Sequence, residues 1–177
     1  LSRETLDRAK AIFHVIAVAE ATVHGTTPER IHFHELGGLD SVLDIVGAVI
    51  GLQLLGIEKV YASTMPLSHG TIRCAHGVLP VPAPAVVEIL KDVPFYATDV
   101  EGELITPTGA GILKACAESF GAPPPFSVQS IGYGSGTRDL GTRPNLLRLL
   151  VGTATTTALQ AQPLTLLETN IDDMNPE

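Results

Sequence analysis

Two histidines and three carboxylates lie close together near the start of the chain and could hold a metal ion. His32 and His34 are two positions apart, so an extended backbone places both imidazoles on one face, about 7 Å apart. Glu35 follows directly. Asp40 and Asp44 have the four-residue spacing that puts two side chains on the same face of a helix. We therefore predict a metal site formed by His32, His34, Glu35, Asp40 and Asp44.

The predicted metal site has a simpler alternative. In that interpretation Asp40 or Ser41 only caps the helix that follows, and the histidines are ordinary hydrogen-bonded residues. Asp44 argues against it, because the apolar run 42–55 predicts a buried helix, in which an unpaired carboxylate is costly. Mixed imidazole and carboxylate ligation suits nickel, zinc, manganese or iron, and the sequence does not distinguish these metals.

Two further histidines, His69 and His76, are each followed by a glycine, which allows close approach of backbone or ligand. In an extended chain the two would lie roughly 23 Å apart, so only a turn between them could bring both to one site. We expect one of them to join the metal site. Polar turn residues of a hairpin are an equally good interpretation of each.

Two segments could bind an anion. Thr106, Thr108 and Gly109 combine capping hydroxyls with free amides at a predicted helix N terminus, which suits a phosphate or a carboxylate. Plain helix capping is the alternative. Arg138 lies in a predicted glycine-rich loop, 132–141, which lacks the G-K-[ST] of a P-loop and is a weak phosphate signal.

Charge and composition restrict the partners. The 177 residues carry 19 acidic against 11 basic side chains, a formal net charge of -8, which argues against nucleic acid as a partner. The acidic stretch 168–173 is either a site for a hard cation or a solvated end. We expect no membrane partner, since the longest apolar run is too short to span a bilayer and no signal peptide is evident. Cys74 and Cys116 form no metal-binding pattern, so a reducing cytoplasmic location is predicted.

Helix and strand signals interleave, which predicts an α/β fold, specifically a mixed α+β layered fold with an incomplete mixed sheet. The predicted domains are a main metal-site domain over 1–152, a linker over 153–163 and the start of a further strand and acidic segment over 164–177. Because the chain begins at Leu1, we expect it to be a fragment. Helices are predicted from Ser2 to Gly25, from Asp40 or Ser41 to Gly56, from Pro82 or Pro84 to Lys91 and from Thr106 to Phe120. Extended segments are predicted over 31–34, 59–63, 70–81, 95–98, 146–151 and 164–171.

Five long motifs follow one another along the chain. They are HFHELGGLDSVLDI at 32–45, HGVLPVPAPA at 76–85, GELITPTGA at 102–110, GYGSGTRD at 132–139 and ETNIDDM at 168–174. Taken in this order, the motifs resemble the LarC family of nickel insertion proteins, and the likeness covers essentially the whole chain. Leu36, Gly38 and Leu39 depart from the family pattern, which has Val, Ala and a small or β-branched residue there.

The resemblance implies a cyclometallase that places nickel between two thiocarboxylate sulfurs and a pyridinium ring carbon of a mononucleotide, with consumption of CTP. It implies nickel at His32, His34, Glu35, Asp40 and Asp44. His69 and His76 become further ligands or a base for the ring proton, and Thr106, Thr108, Gly109 and Arg138 become contacts for the substrate phosphate. CTP with Mg or Mn is expected on a part of the protein that is missing here, so this chain alone is expected to be inactive. The resemblance is compatible with a homo-oligomer.

Two other functions fit the same residues. A metal-dependent hydrolase of the amidohydrolase type also uses a His-x-His pair, but its eightfold barrel needs about 250 residues. A non-enzymatic nickel carrier would hold the metal without a mononucleotide site. Nickel binding that ignores added mononucleotide would indicate the carrier, and turnover of model esters or amides would indicate the hydrolase.

Overall fold

A computed structural model describes residues 1–31, 38–74, 77–141 and 143–155, and the backbone of 163–168. These residues form two compact units. The first comprises Leu1–Gly56 and Pro66–Cys116, and the second comprises Ile57–Met65 and the residues from Ala117 onward. The predicted domain ranges, 1–152, 153–163 and 164–177, stay a prediction.

Helix α1, Arg3–His24, is the centre of the first unit. The Ser2 hydroxyl accepts from the Thr5 amide at 3.1 Å, and Gly25 ends the helix in the left-handed conformation, as its sequence predicts. Its buried residues include Ile12 and Ile16, both fully inaccessible. The apolar spacing of α1 thus supplies the surface on which the other helices of this unit pack.

Helix α2, Leu39–Leu54, differs from its prediction in two ways. Its N-cap is Gly38, with no side-chain cap, so the prediction of Asp40 or Ser41 as the cap is wrong. The prediction of a buried helix is also wrong, because among the described residues α2 packs on α1 and α4 and buries only Ser41, Ile45 and Val49. Leu43 and Leu54 point outward and are 60% and 82% exposed.

Helices α3, Pro84–Ile89, and α4, Pro107–Cys116, begin at their prolines as predicted. A Cβ at Gly111 of α4 would lie 2.7 Å from the Ile16 Cδ1, so the missing side chain lets α4 approach α1 closely. The predicted end of α4 at Phe120 is wrong. The chain leaves the helix after Cys116 because the next four residues join a sheet.

Short strands complete the first unit. Strand β2, Met65–His69, pairs with β5, Phe95–Glu101, and the two form a separate two-stranded sheet. Strand β3, Thr71–Cys74, pairs antiparallel with β4, Gly77–Pro80. The extended segment predicted over 70–81 is therefore confirmed as a hairpin.

The second unit is a five-stranded mixed sheet. Its strands are β1 at Lys59–Ala62, β6 at Ala117–Phe120, β7 at Phe126–Ser135, β8 at Leu146–Ala154 and β9 at Pro163–Glu168. They lie in the order β6-β1-β9-β8-β7. Strand β1 is parallel to β6 and β9, whereas β8 is antiparallel to β9 and β7. The mixed α/β class with a mixed sheet is thus confirmed.

The prediction of a glycine-rich loop over 132–141 is wrong for its first half. Gly132 and Gly134 lie on β7, opposite Leu149 and Leu147 of β8. A Cβ at either glycine would make ordinary contact, at 3.9 Å, with the leucine opposite, so neither glycine interrupts the strand. The loop proper begins after Ser135.

No helix among the described residues is long and apolar enough to cross a membrane.

Candidate metal centre and anion contacts

Helix α2 presents Asp40 and Asp44 four residues apart, as their spacing predicts. Asp40 lies in the first turn, where the free backbone amides and the positive end of the helix dipole favour a carboxylate. Both residues are exposed. A cation can therefore reach either carboxylate from solvent.

The argument that Asp44 is a buried charge is wrong. Helix α2 buries Ser41, Ile45 and Val49, and Asp44 lies outside that face. A carboxylate in water needs no cation to compensate for burial. The case for Asp44 as a ligand therefore depends on its position relative to Asp40 and not on its surroundings.

His32, His34 and Glu35 lie outside the described residues. Within the ranges that the structure describes, no three side chains of the His, Cys, Asp and Glu types are grouped closely enough to hold a metal ion. The predicted metal centre thus stays a prediction, of which Asp40 and Asp44 are the described part.

His69 ends β2 and is held at both its ring and its backbone. Its Nε2 lies 3.1 Å from the carbonyl oxygen of Asp99 on β5, and its own carbonyl accepts from the Gly102 amide at 2.8 Å. Because a carbonyl only accepts, this hydrogen bond requires a proton on Nε2. The neutral ring then carries its lone pair on Nδ1, which is the atom that can take up a proton or bind a metal ion.

The backbone conformation favours glycine at both positions that follow a histidine, Gly70 and Gly77. Gly70 has a φ of 97°, and a Cβ there would lie 2.9 Å from the Glu101 Cγ. Gly77 also has a positive φ, of 99°. Gly70 accepts from the Val81 amide at the open end of the β3–β4 hairpin, whereas Gly77 pairs with Cys74 at its tip.

The β3–β4 hairpin holds Gly70 and Gly77, the residues that follow the two histidines, at opposite ends. Gly77 lies opposite Cys74 in the β3–β4 pairing, and Cys74 is four strand residues, or about 13 Å, from Gly70. His76 itself lies outside the described residues. Its predicted role stays a prediction, and His69 is the described candidate of the pair.

The N terminus of α4 is capped by its own sequence. The Thr106 hydroxyl accepts from the Gly109 amide at 3.1 Å, and the Thr106 carbonyl accepts from the Ala110 amide at 2.9 Å. Thr106 is exposed and Thr108 is half-buried. The capping interpretation of Thr106 is therefore confirmed, and an anion at this helix end would have to share or displace that hydrogen bond.

Arg138 lies in the second unit, in the loop that joins β7 to β8. It is exposed, and its carbonyl accepts from the Asn145 side-chain amide at 3.2 Å. Thr106, Thr108 and Gly109 belong to the first unit. The predicted phosphate contacts are thus divided between the two units.

Cys116 is not suited to metal ligation. It is half-buried at the end of α4, and this burial raises the pKa of the thiol, with a smaller opposing effect from Arg8. The thiolate is the form that binds metals and acts as a nucleophile. Burial therefore makes Cys116 a weaker candidate for metal ligation than an exposed thiol would be.

Comparison with known proteins identifies the family. A family model described as "Nickel insertion protein" matches residues 1–177. The chain belongs to the nickel insertion protein family. The predicted resemblance to LarC is thereby confirmed over the whole chain.

Individual relatives agree with this membership. The "Pyridinium-3,5-bisthiocarboxylic acid mononucleotide nickel insertion protein" of Desulfitobacterium hafniense (strain DSM 10664 / DCB-2) is 51% identical over 183 residues, covering 100% of this chain and 45% of the relative. The protein of the same name from Geobacillus kaustophilus is 48% identical over 185 residues, with the same two shares. A relative from Geotalea daltonii is 53% identical over 177 residues, again 100% of this chain and 45% of the relative.

The nickel insertion family member described here therefore spans about half the length of the curated relatives that it matches. No solved structure matches it.

Sequence reasoning missed Asp99 as a functional neighbour of His69. The contact is made by its backbone carbonyl, which any residue type provides, so no sequence signal could have identified it. Only the pairing of β2 with β5 brings this carbonyl to the imidazole.

Proposed function

We propose that the full-length protein inserts nickel into pyridinium-3,5-bisthiocarboxylic acid mononucleotide to form a nickel-pincer cofactor. The observation that carries this proposal is that relatives named for this activity align with the whole chain at 48% to 51% identity. Nickel is a substrate in this reaction. The overall class is that of a nickel chelatase, with CTP and Mg or Mn acting on parts of the protein outside residues 1–177.

The reaction sets three tasks for the protein. It must deliver a divalent nickel ion, hold the mononucleotide, and remove the hydrogen from the ring carbon that becomes bonded to nickel. When that carbon–nickel bond forms, the carbon–hydrogen bond breaks and its proton leaves to a base, so neither partner needs an oxidant. The two thiocarboxylate sulfurs supply the remaining donors, which are soft ligands suited to nickel.

We assign nickel delivery to His32, His34, Glu35, Asp40 and Asp44. Support comes from the exposed positions of Asp40 and Asp44 near the N terminus of α2, in the segment that directly follows the histidine pair. Imidazole and carboxylate ligands hold nickel less firmly than two sulfurs and a carbon would. The metal can therefore pass from the protein to the mononucleotide.

We assign the ring proton to His69, with His76 as a further candidate. The Nε2 of His69 is committed to the Asp99 carbonyl, so Nδ1 would accept the proton. The exposure of His69 gives the imidazolium a route to return that proton to water. Contacts for the substrate phosphate are assigned to two places, the α4 N terminus at Thr106, Thr108 and Gly109, and the loop that carries Arg138.

The test is single-turnover insertion by the full-length protein, followed by mass spectrometry of the mononucleotide. With Ni(II) the product gains one nickel and loses protons, and omission of CTP tests the nucleotide requirement. His69→Asn should slow insertion by at least about 100-fold, which is typical of the loss of a general base, while leaving nickel binding intact. Bound nickel without product in the parent would indicate a carrier, and full activity in His69→Asn would remove His69 from the reaction.

A further inference from the structure

Two glycines lie next to each other where β2 and β5 end. Gly70 directly follows β2 and Gly102 directly follows β5, and their φ angles are positive, at 97° and 99°. A Cβ at Gly70 would lie 3.6 Å from the Gly102 nitrogen, so the two backbones are close. We call Gly70 and Gly102 the glycine pair.

The glycine pair lies beside both hydrogen bonds that hold His69. His69 directly precedes Gly70, and its carbonyl accepts from the Gly102 amide at 2.8 Å. Its ring Nε2 lies 3.1 Å from the carbonyl oxygen of Asp99. Both partners belong to the short stretch 99–102. The backbone and the ring of His69 therefore keep their positions only while that stretch stays against the end of β2.

Gly70 has little room for a side chain. Its carbonyl is bound to the β3–β4 hairpin, where it accepts from the Val81 amide at 3.1 Å. A Cβ at Gly70 would lie 2.9 Å from the Glu101 Cγ, which is closer than carbon atoms pack. A side chain at position 70 therefore requires Glu101 to change its rotamer or β5 to move away from β2.

We propose that the glycine pair positions His69 for removal of the ring proton from the mononucleotide. A glycine at each position lets β5 lie close enough to β2 for the Asp99 carbonyl to accept from Nε2. Of the two neutral tautomers, only the one with its proton on Nε2 has a lone pair on Nδ1. The glycine pair thus keeps His69 in the form that takes up a proton at Nδ1. This inference rests on the proposed function, in which His69 is the base, and adds two positioning residues to it.

A third glycine separates this role from that of a plain turn. Gly77 has a φ of 99° and belongs to the neighbouring β3–β4 hairpin, but among the described residues nothing lies within 4 Å of a Cβ there. Gly77→Ala therefore introduces the same kind of backbone strain as Gly70→Ala without the collision. It is the matched control.

The experiment is NMR of the ring nitrogens in the 177-residue chain with isotope-labelled histidine, at about pH 8, where free histidine is neutral. The signals of His69 are those missing from His69→Asn. In the parent, Nε2 should have the chemical shift of a protonated nitrogen and Nδ1 that of an unprotonated one. In Gly70→Ala and in Gly102→Ala the two shifts should move toward each other, because the ring then exchanges rapidly between both tautomers. Gly77→Ala should keep the parental shifts.

Glu101→Ala provides a rescue of the Gly70 variant. Once the Glu101 Cγ is removed, a Cβ at position 70 meets the Gly102 nitrogen at 3.6 Å, which is an ordinary contact. Gly70→Ala/Glu101→Ala should therefore recover the parental shifts of His69, and Glu101→Ala alone should keep them. A loss of structure unrelated to this contact would not be reversed by the second substitution.

Nickel insertion by the full-length protein is the second readout. Gly70→Ala should slow single-turnover insertion by at least about tenfold and up to about 100-fold, the effect expected when a reacting group is misplaced. Nickel affinity should stay at the parental value. The double variant with Glu101→Ala should recover most of the insertion rate.

Averaged tautomer shifts of His69 in the parent would overturn the inference without any variant. Equal shifts in Gly70→Ala and Gly77→Ala would overturn it as well, because the collision with Glu101 would then have no effect of its own. A changed tautomer with insertion at the parental rate would overturn it too, and would remove His69 from the reaction. Absence of insertion in the parent would instead contradict the proposed function and leave the NMR result as it stands.

Discussion

At the scale of single residues, the hydrogen bond from His69 to the Asp99 carbonyl decides which ring nitrogen can react. A side-chain acceptor could be lost by mutation or titration, whereas a backbone carbonyl is present at every pH. The bond also competes with metal binding at Nε2. His69 is for this reason better suited to take a proton at Nδ1 than to bind nickel at Nε2.

Cys116 gives a prediction about pH. Burial raises the pKa of the Cys116 thiol in the folded state above its ordinary value of 9.0, so the folded chain holds the thiol proton more tightly than the unfolded chain does. This contribution to stability is present below pH 9.0 and is lost as the pH rises through the folded pKa. In the Cys74→Ser variant at pH 8, Cys116 should react with Ellman's reagent more slowly when folded than in urea.

The Cys116→Ser variant is the control, because it reports Cys74 alone under the same conditions. Equal or faster reaction of folded Cys116 would show that burial does not protect the thiol.

At the scale of elements, two glycines in helices should respond to alanine in opposite ways. A Cβ at Gly111 would collide with Ile16 of α1, whereas nothing lies within 4 Å of the corresponding position at Gly47 of α2. Gly111→Ala should lower the free energy of unfolding by about 1–3 kcal/mol through overpacking. Gly47→Ala should raise it by about 0.5–1 kcal/mol, because alanine loses less backbone entropy in a helix.

Urea denaturation of both variants tests this pair. Equal effects of the same sign would contradict the close packing of α1 and α4.

Helix starts were predictable because their signals are local. Ser2, Pro84 and Pro107 mark the starts of α1, α3 and α4, and the chemistry of each lies within one turn of the helix. The end of α4 was not predictable in this way. It depends on the pairing of residues 117–120 with β1, a strand more than fifty positions earlier.

Burial was the least predictable property of the candidate site. The apolar composition of α2 indicates only that the helix could be covered on several sides, and the described residues cover one of them. The spacing of Asp40 and Asp44 depends on helix geometry alone and was predicted correctly. The exposure of Asp44 depends on which neighbours are present, and the sequence of the helix does not contain that information.

At the scale of the whole molecule, the chain accounts for about 45% of the length of its relatives, and its candidate residues are spread over two compact units. The candidate metal ligands and His69 belong to the first unit, and Arg138 belongs to the second. Insertion is therefore to be tested on the full-length protein. Nickel binding is a property that we assign to residues of this chain and can be tested on it directly.

The central claim is that the segment from His32 to Asp44 binds nickel. Its most direct test is calorimetric titration of the metal-free chain with Ni(II), with Zn(II) and Mn(II) in parallel. We compare the parent, a His32→Ala/His34→Ala variant and an Asp40→Asn/Asp44→Asn variant. The matched control is Glu4→Gln/Asp7→Asn, which changes two exposed carboxylates on α1.

We predict that the parent binds one nickel ion per chain and that the control binds it equally well. Both site variants should lose more nickel affinity than the roughly 10- to 100-fold that is typical when a residue hydrogen-bonded to a metal ligand is removed. The melting temperature of the aspartate variant should stay close to that of the parent, since both side chains are exposed. Nickel binding that is equal in the parent and both site variants, or absent from the parent, would contradict the claim.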